Sequence, residues 1–371
     1  MQITRNTTGM PVGVFVAADK DARDHCVVVA KGTFRTDAAG ALTLAEAQQP
    51  LATIDQHYGD PATTSVRYAC DFVLEKVQTD VVVSGMAVAP GEPVRQLTVG
   101  LEVEGRVKEL LVTGERRWVR VWRELAPSTP VPFTAMPLTF DRAFGGRDDS
   151  RGPGKGEAET RNLVGVGFHP HRAVADIEGT ALPNIEDPRA VLRGPRDRCA
   201  PVGFGFLSPG MAARRRYAGT YDQNWVDHVA PFLPGDFDSR FFQAAPEDQR
   251  FPLFTGGELI RCFNMAPSPV VQYRMPAVRV PVSFHFVDRL EERAGVLDTV
   301  TLEPHRGLAT LVWRCKAALG KKPNALREIR VGPQPGEGVA DDPVGFRRGK
   351  PVFRGLAAAI RWKRKRASTR P

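Results

Sequence analysis

No stretch of this 371-residue chain approaches the ~20 consecutive apolar residues that a membrane-spanning helix needs. Its start, Met1-Gln2-Ile3-Thr4-Arg5-Asn6, lacks the basic-then-apolar pattern of a secretory leader. The expectation is a cytoplasmic protein with no membrane insertion. Cysteines are few and far apart: Cys26, Cys70, Cys199, Cys262 and Cys315. A disulfide framework or a zinc site would show short, paired spacings, so buried reduced thiols are expected. Reaction signatures are missing too, with no Gly-x-Ser-x-Gly elbow and no His-Glu-x-x-His helix. Gly165-Val166-Gly167-Phe168-His169-Pro170 begins like a dinucleotide loop, but Pro170 replaces the third glycine and no strand precedes it. It reads as a turn. Acid is absent from one region, residues 343–371, which hold ten Lys or Arg and no Asp or Glu. Without that tail the chain has 41 basic and 42 acidic residues, so the net charge of +9 belongs to the tail. A neutral body argues against a nucleic-acid-binding fold, which shows basic clustering of its own.

What is abundant is punctuation in the middle. Residues 133–249 carry Arg142-Ala143-Phe144-Gly145-Gly146, Leu182-Pro183-Asn184-Ile185-Glu186, Ala218-Gly219-Thr220-Tyr221-Asp222 and Leu233-Pro234-Gly235-Asp236-Phe237-Asp238. Glycine supplies unusual backbone angles, proline fixes them, and Asp or Asn bonds its own backbone in turns. A flexible linker would be poor in large apolar groups, whereas Phe, Trp and Tyr recur throughout. This region is expected to be an ordered, loop-rich centre.

Both flanks read as sheet. Residues 12–17 and 26–34 are β-branched and aromatic runs, and residues 96–103 alternate with Leu97, Val99, Leu101 and Val103 on one face. Pro90-Gly91 is expected to turn a hairpin between residues 80–89 and 94–103, and Gly105 a second one into residues 107–112. Later, Val278, Val280, Val282, Phe284 and Phe286 share a face, with Pro281 suggesting an edge or bulge. Residues 297–302 and 308–313 read as a hairpin. Short helices are expected at residues 211–217, 223–229, 239–245 and 355–366, each needing tertiary support. The Gly-rich stretch 145–160 reads as an exposed, mobile loop. The fold class is mainly β: two antiparallel sandwich- or barrel-like units, 1–132 and 253–342, framing a centre at 133–252, with a basic tail at 343–371.

Candidate chemistry lies in the centre. His169 and His171 flank Pro170 near Asp176, yet no third ligand has a recognisable spacing, so neither metal nor cofactor is expected. Glu186, Asp222, Asp236, Asp238 and Glu247 could pair as glycosidase carboxylates do. The competing reading is that they cap helices and close turns. Tyr217, Tyr221, Trp225, Phe232, Phe241 and Phe242 could line a groove or form core. Arg361, Lys363, Arg364, Lys365 and Arg366, around Trp362, admit a solvated end, a dock for an acidic protein, or a nucleic-acid or membrane contact.

Taken together, the clusters resemble a bacterial family known as domain of unknown function 2169. The likeness runs from Asn6-Thr7-Thr8 through Val29-Ala30-Lys31-Gly32-Thr33-Phe34, Ser65-Val66-Arg67-Tyr68-Ala69-Cys70-Asp71 and Gly114-Glu115-Arg116-Arg117-Trp118. It continues through the central clusters and Ala245-Pro246-Glu247-Asp248-Gln249 to Trp313. The chain departs from the pattern at Glu115, where an Asp is usual, and at Arg214-Arg215-Arg216, where a Trp tends to precede the Arg. The resemblance implies genes beside type VI secretion loci encoding spikes, spike-tip proteins and toxic effectors. It thus implies a non-catalytic adaptor or chaperone for an effector, spike or spike-tip protein, with no small-molecule substrate. The alternatives are a carbohydrate-active hydrolase and nucleic-acid binding through the tail. For the adaptor, the partner-binding residues are expected to be Arg142, Phe144, Asn184, Glu186, Arg214, Arg215, Tyr221, Asp222, Trp225, Asp236 and Asp238, with the tail cations beside them.

Overall fold

The computed structural model describes residues 3–320 and 323–333, with the backbone of two further strands, Gly345–Arg347 and Lys350–Val352. The expected helix at 355–366 and the tail cations Arg361, Lys363, Arg364, Lys365 and Arg366 lie outside the described residues. In chain order the principal strands are β1 (Ile3–Asn6), β2 (Val12–Ala18), β3 (Asp24–Thr36), β4 (Leu42–Leu44), β5 (Thr79–Val83), β6 (Gln96–Val103) and β7 (Arg106–Thr113). After the centre come β8 (Ile185–Glu186), β9 (Arg250–Phe251), β10 (Leu259–Phe263), β11 (Val270–Arg274), β12 (Val280–Phe286), β13 (Leu290–Glu303), β14 (Leu308–Ala318) and β15 (Leu326–Val331).

The chain is mainly β. Ten strands make one sheet, in the order β1-β15-β12-β13-β14-β3-β2, with β4 beside β3, β5 added along the later half of β13, and β9 beside β5. That sheet curls into half a barrel. A second sheet has five strands, β8-β7-β6-β10-β11. β3 reads as a near-continuous apolar run because both of its faces are covered. Cys26, Val28 and Ala30 join the main core, while Val27 and Val29 pack with Val312 and Leu74 on the other side. The main core also takes Val99, Leu101, Leu110 and Val112 from the second sheet, so the two sheets share one interior.

Local geometry follows the residue types in several places. β6 and β7 form the expected hairpin, and Glu104 and Gly105 both have positive φ (49° and 81°), as a tight two-residue turn of this hand requires. β13 and β14 pair as expected, turned through Pro304–Arg306 and Gly307. Val280, Val282, Phe284 and Phe286 are buried. Pro281, however, marks neither an edge nor a bulge: β12 lies between β15 and β13, and its register shift falls at His285/Phe286. The carbonyl of Pro281 accepts from Gly332, just past the end of β15, so the missing N–H costs no ladder bond.

Other expectations are corrected. Pro90-Gly91 does not close a hairpin: β5 runs parallel to β13, from Asp80 opposite Thr299 to Val83 opposite Leu302. The strand breaks at Ser84-Gly85, and Met86–Val88 crosses to pair with Ala135–Pro137. Non-local burial of Val81, Val82 and Val83 outweighs the local turn signal. The two flanks also interleave. β3 pairs with β14 from His25 to Arg35, and β6 pairs with β10. Hydrogen-bonded sheets therefore bridge the expected boundaries at residues 132 and 253. Stretch 145–160 is anchored rather than loose: Arg147 and Asp148 pair with Ala158 and Glu157, and Asp148 and Glu159 are buried. Helices among the described residues are short: Val174–Ile177, α1 (Ala212–Arg215), α2 (Gln223–His228) and a few 3-10 turns such as Ser239–Phe242.

Candidate docking surface

Ten of the eleven expected partner-binding residues separate into two groups; the eleventh, Arg215, is exposed on α1. The first group is inside. β8 adds to the edge of β7, opposing Glu186 to Leu111 and Ile185 to Val112. That pairing carries Asn184 and Glu186 into the interior, at 3 and 1% exposure. Asn184 donates through Nδ2 to the Thr113 carbonyl (3.0 Å) and accepts at Oδ1 from Arg142 Nη1 (3.0 Å). Arg142 also donates to Glu115 Oε1 at 2.7 Å. Glu186 accepts from Arg116 Nη2 (2.6 Å) and from the Leu192 amide (2.8 Å). Phe144 is buried edge-on against Phe168. Arg214 donates from Nε to the Phe241 carbonyl (3.0 Å) and from Nη1 to the Leu207 carbonyl (2.8 Å). Phe144, Asn184, Glu186 and Arg214 thus have their contacts taken up within the fold, while Arg142 is half-buried at its margin.

The second group stands on an excursion between Tyr217 and Asp238. Its base is closed by the Asp238 amide donating to the Tyr217 carbonyl (3.1 Å) and by Asp236, which accepts from the Thr220 amide (2.9 Å) and hydroxyl (2.8 Å). Asp222 caps α2 by accepting from the Trp225 amide at 2.9 Å, and Asp238 accepts from the Arg240 amide at 2.8 Å. These bonds hold Asp236 and Asp238 below the ordinary carboxylate range, through Thr220 and Arg240 respectively. Glu247 is ion-paired with Arg216. The carboxylates considered for catalysis therefore serve as caps, turn acceptors or ion-pair partners.

What the excursion displays is apolar. None of the residues of α2 is buried. Tyr221, Val226 and Phe232 are 52, 55 and 44% exposed. Trp225 is half-buried, set edge-on against Tyr221 with ring centroids 4.7 Å apart, and its Nε1 donates to the Phe232 carbonyl at 2.9 Å. Trp225 thereby organises the small unit from within. Sequence reasoning missed Val226; its signal is an apolar residue next to Trp225 in a helix whose other residues, Gln223, Asn224, Asp227 and His228, are polar, so that no apolar face is available to cover it.

Elsewhere, a groove of about 430 Å³ runs along β6 and β7, lined by Arg106, Lys108, Arg189, Val202, Asp248 and Phe251 among others. Lys108 donates to the Gly203 carbonyl, Asp248 Oδ1 and Gln249 Oε1, at 2.8, 2.9 and 2.7 Å. All three of its protons are placed, although burial lowers its pKa. His171 pairs with Glu157 at 2.6 Å, and His169 faces Thr180. Among the described residues no group of three or more His, Cys, Asp or Glu could hold a metal. Burial pushes the thiols of Cys26, Cys199 and Cys315 up to about 12, leaving them inert near neutrality.

A family model described as an uncharacterized protein conserved in bacteria (DUF2169) matches residues 21–314. The chain belongs to that family. No curated protein and no solved structure matches it. The DUF2169 match takes in β3 through most of β14, the buried Arg116–Glu186 pair and the whole excursion. It leaves out β1, β2 and β15. No helix among the described residues is long and apolar enough to cross a membrane.

Proposed function

We propose that this DUF2169 protein is a non-catalytic accessory factor of the bacterial cytoplasm, an adaptor or chaperone. On this reading it holds a type VI secretion effector, spike or spike-tip protein and promotes loading, with residues 219–234 as the docking element. One observation carries it: Tyr221, Val226 and Phe232 are exposed around Trp225 on a unit whose helix has no buried residue. Clustered exposed apolar side chains mark interaction sites, and aromatic anchors supply most of the energy of such interfaces. The caps at Asp222, Asp236 and Asp238 set the shape of the unit before any partner arrives, which lowers the ordering cost of association.

The test is affinity for the effector and spike proteins of the native cell. Trp225→Ala combined with Phe232→Ala is expected to weaken capture of one of them by at least about tenfold, with the melt of the body near wild type. Undiminished capture would remove the docking role from this element.

A further inference from the structure

Beside the base of the excursion the arginines outnumber the acids that could match them. Arg216 and Arg240 lie over the ring of Tyr217, at 4.8 and 4.4 Å from its centroid. Arg214 sits 5.3 Å from the Phe241 centroid. Arg250, only 6% exposed, donates from Nε to the Ala245 carbonyl at 2.9 Å, while its buried Nη2 has no partner among the described residues. Arg215 is exposed on α1. Against these five arginines stand two ion-paired carboxylates, Glu247 with Arg216 and Asp238 with Arg240. Arg214, Arg215 and Arg250 have no ion-pair partner among the described residues. Asp55 and Asp80 both act on Arg214, and Asp80 on Arg250, but neither forms an ion pair with them; Asp80 is already held by Lys76 at 2.8 Å.

An unpartnered guanidinium nitrogen in the interior is a costly arrangement, because a buried donor without an acceptor forfeits its hydration. The cluster also acts on its own tyrosine: Arg216, with the charges of Arg240 and Arg250, holds the Tyr217 hydroxyl below its ordinary pKa. The same positive field favours a carboxylate.

We propose that Arg215, Arg216 and Arg240, the exposed arginines of the cluster around Tyr217, receive the carboxylates of an acidic segment of the partner protein, whose apolar side chains pack on Tyr221, Val226 and Phe232, while buried Arg214 and Arg250 add positive field from beneath. This rests on the docking role proposed above and adds the chemistry of the bound segment. Arginine matches carboxylate geometry in two-pronged bonds. A protein segment fits better than nucleic acid because it can place separate carboxylates at the arginines and apolar side chains on Tyr221, Val226 and Phe232, whereas a continuous phosphate backbone would also run against Asp222, Asp227, Asp236 and Asp238, which are interleaved along the excursion.

The experiment uses the full chain and three fluorescent probes. One is a short peptide alternating Asp with Leu and Phe, one the same peptide with Asn for Asp, and one a single-stranded oligonucleotide of equal charge. The Asp peptide is expected to bind at least about tenfold tighter than the Asn peptide, with affinity falling as salt rises. Arg216→Gln with Arg240→Gln is expected to abolish that difference at an unchanged melting temperature. Because the basic tail is the same in both proteins, any loss reads the cluster alone. Should the double variant melt early, Arg215→Gln, whose guanidinium has no ion pair to lose, is expected to lower Asp-peptide affinity by itself. Equal binding of the Asp and Asn peptides, binding indifferent to these arginines, or tighter binding of the oligonucleotide would each overturn the proposal. If Trp225→Ala releases a protein partner while the two peptides bind alike, docking stands and the acidic segment falls. If the Asp peptide needs the arginines but no effector or spike binds, the acid site stands and the adaptor role falls.

Discussion

Arg116 and Glu186 are 8 and 1% exposed, and their 2.6 Å ion pair links the loop after β7 to the short strand β8. Removing one member of a buried pair is expensive because the other charge stays behind without compensation. Arg116→Met is therefore expected to cost ~3 kcal/mol or more in urea unfolding, while Arg116→Met with Glu186→Leu recovers a good part of it. An unchanged midpoint for the single variant would show the pair to be idle. Asp148 allows a pH test. Burial alone would raise its pKa, but hydrogen bonds from Ser150 and from the amides of His171 and Arg172 prevail and lower it from 3.8 to about 2. A carboxyl depressed on folding stabilises fully above its unfolded value and loses that contribution as pH falls through its folded value. The stability advantage of the native chain over Asp148→Asn is expected to shrink between about pH 4 and pH 2 and to be flat above; a constant gap across that range would contradict it. Such roles were hidden in the sequence. Arg142, Asn184 and Glu186 stood out there as polar residues in ordered clusters and were placed on a contact surface. Nothing local to Glu186 reveals that its cation lies 70 positions earlier.

At the scale of elements, the turn chemistry was legible and the pairing was not. Asp222 and Asp238 sit just before α2 and the Ser239–Phe242 turn, where capping residues belong, and both act as caps. The Glu104-Gly105 hairpin could be read because its strands are adjacent in sequence. The fate of residues 80–89 could not, since their partners lie in β13 and in Ala135–Pro137. The Gly145-Gly146 corner belongs to the same class of hidden contacts. Gly146 has φ +95°, and a Cβ there would fall 2.2 Å from the Gly165 carbonyl oxygen. Its amide donates to the Asn162 carbonyl, binding the two ends of that loop together. Gly146→Ala is expected to destabilise by more than ~1 kcal/mol, read as a lowered urea midpoint. An undisturbed midpoint would mean that the corner relaxes freely.

For the whole molecule, the alternation and β-branched runs pointed to a mainly β chain, and that is what forms. Why the two flanks were read as separate units is also clear. β3 meets β14 and β6 meets β10 across more than 150 intervening positions, and no periodicity within a strand specifies which distant strand it will face. The shared interior gives the body a rigid frame, and the excursion is the part of the centre that this frame does not cover. Hydrogen exchange on the purified chain, alone and saturated with the effector or spike protein proposed as its partner, tests this arrangement most directly. Slowed exchange is expected at residues 217–240, centred on the α2 amides, with β3 and β14 unchanged because they are already protected. Protection confined to other surfaces, with α2 exchanging as in the free chain, would contradict the account.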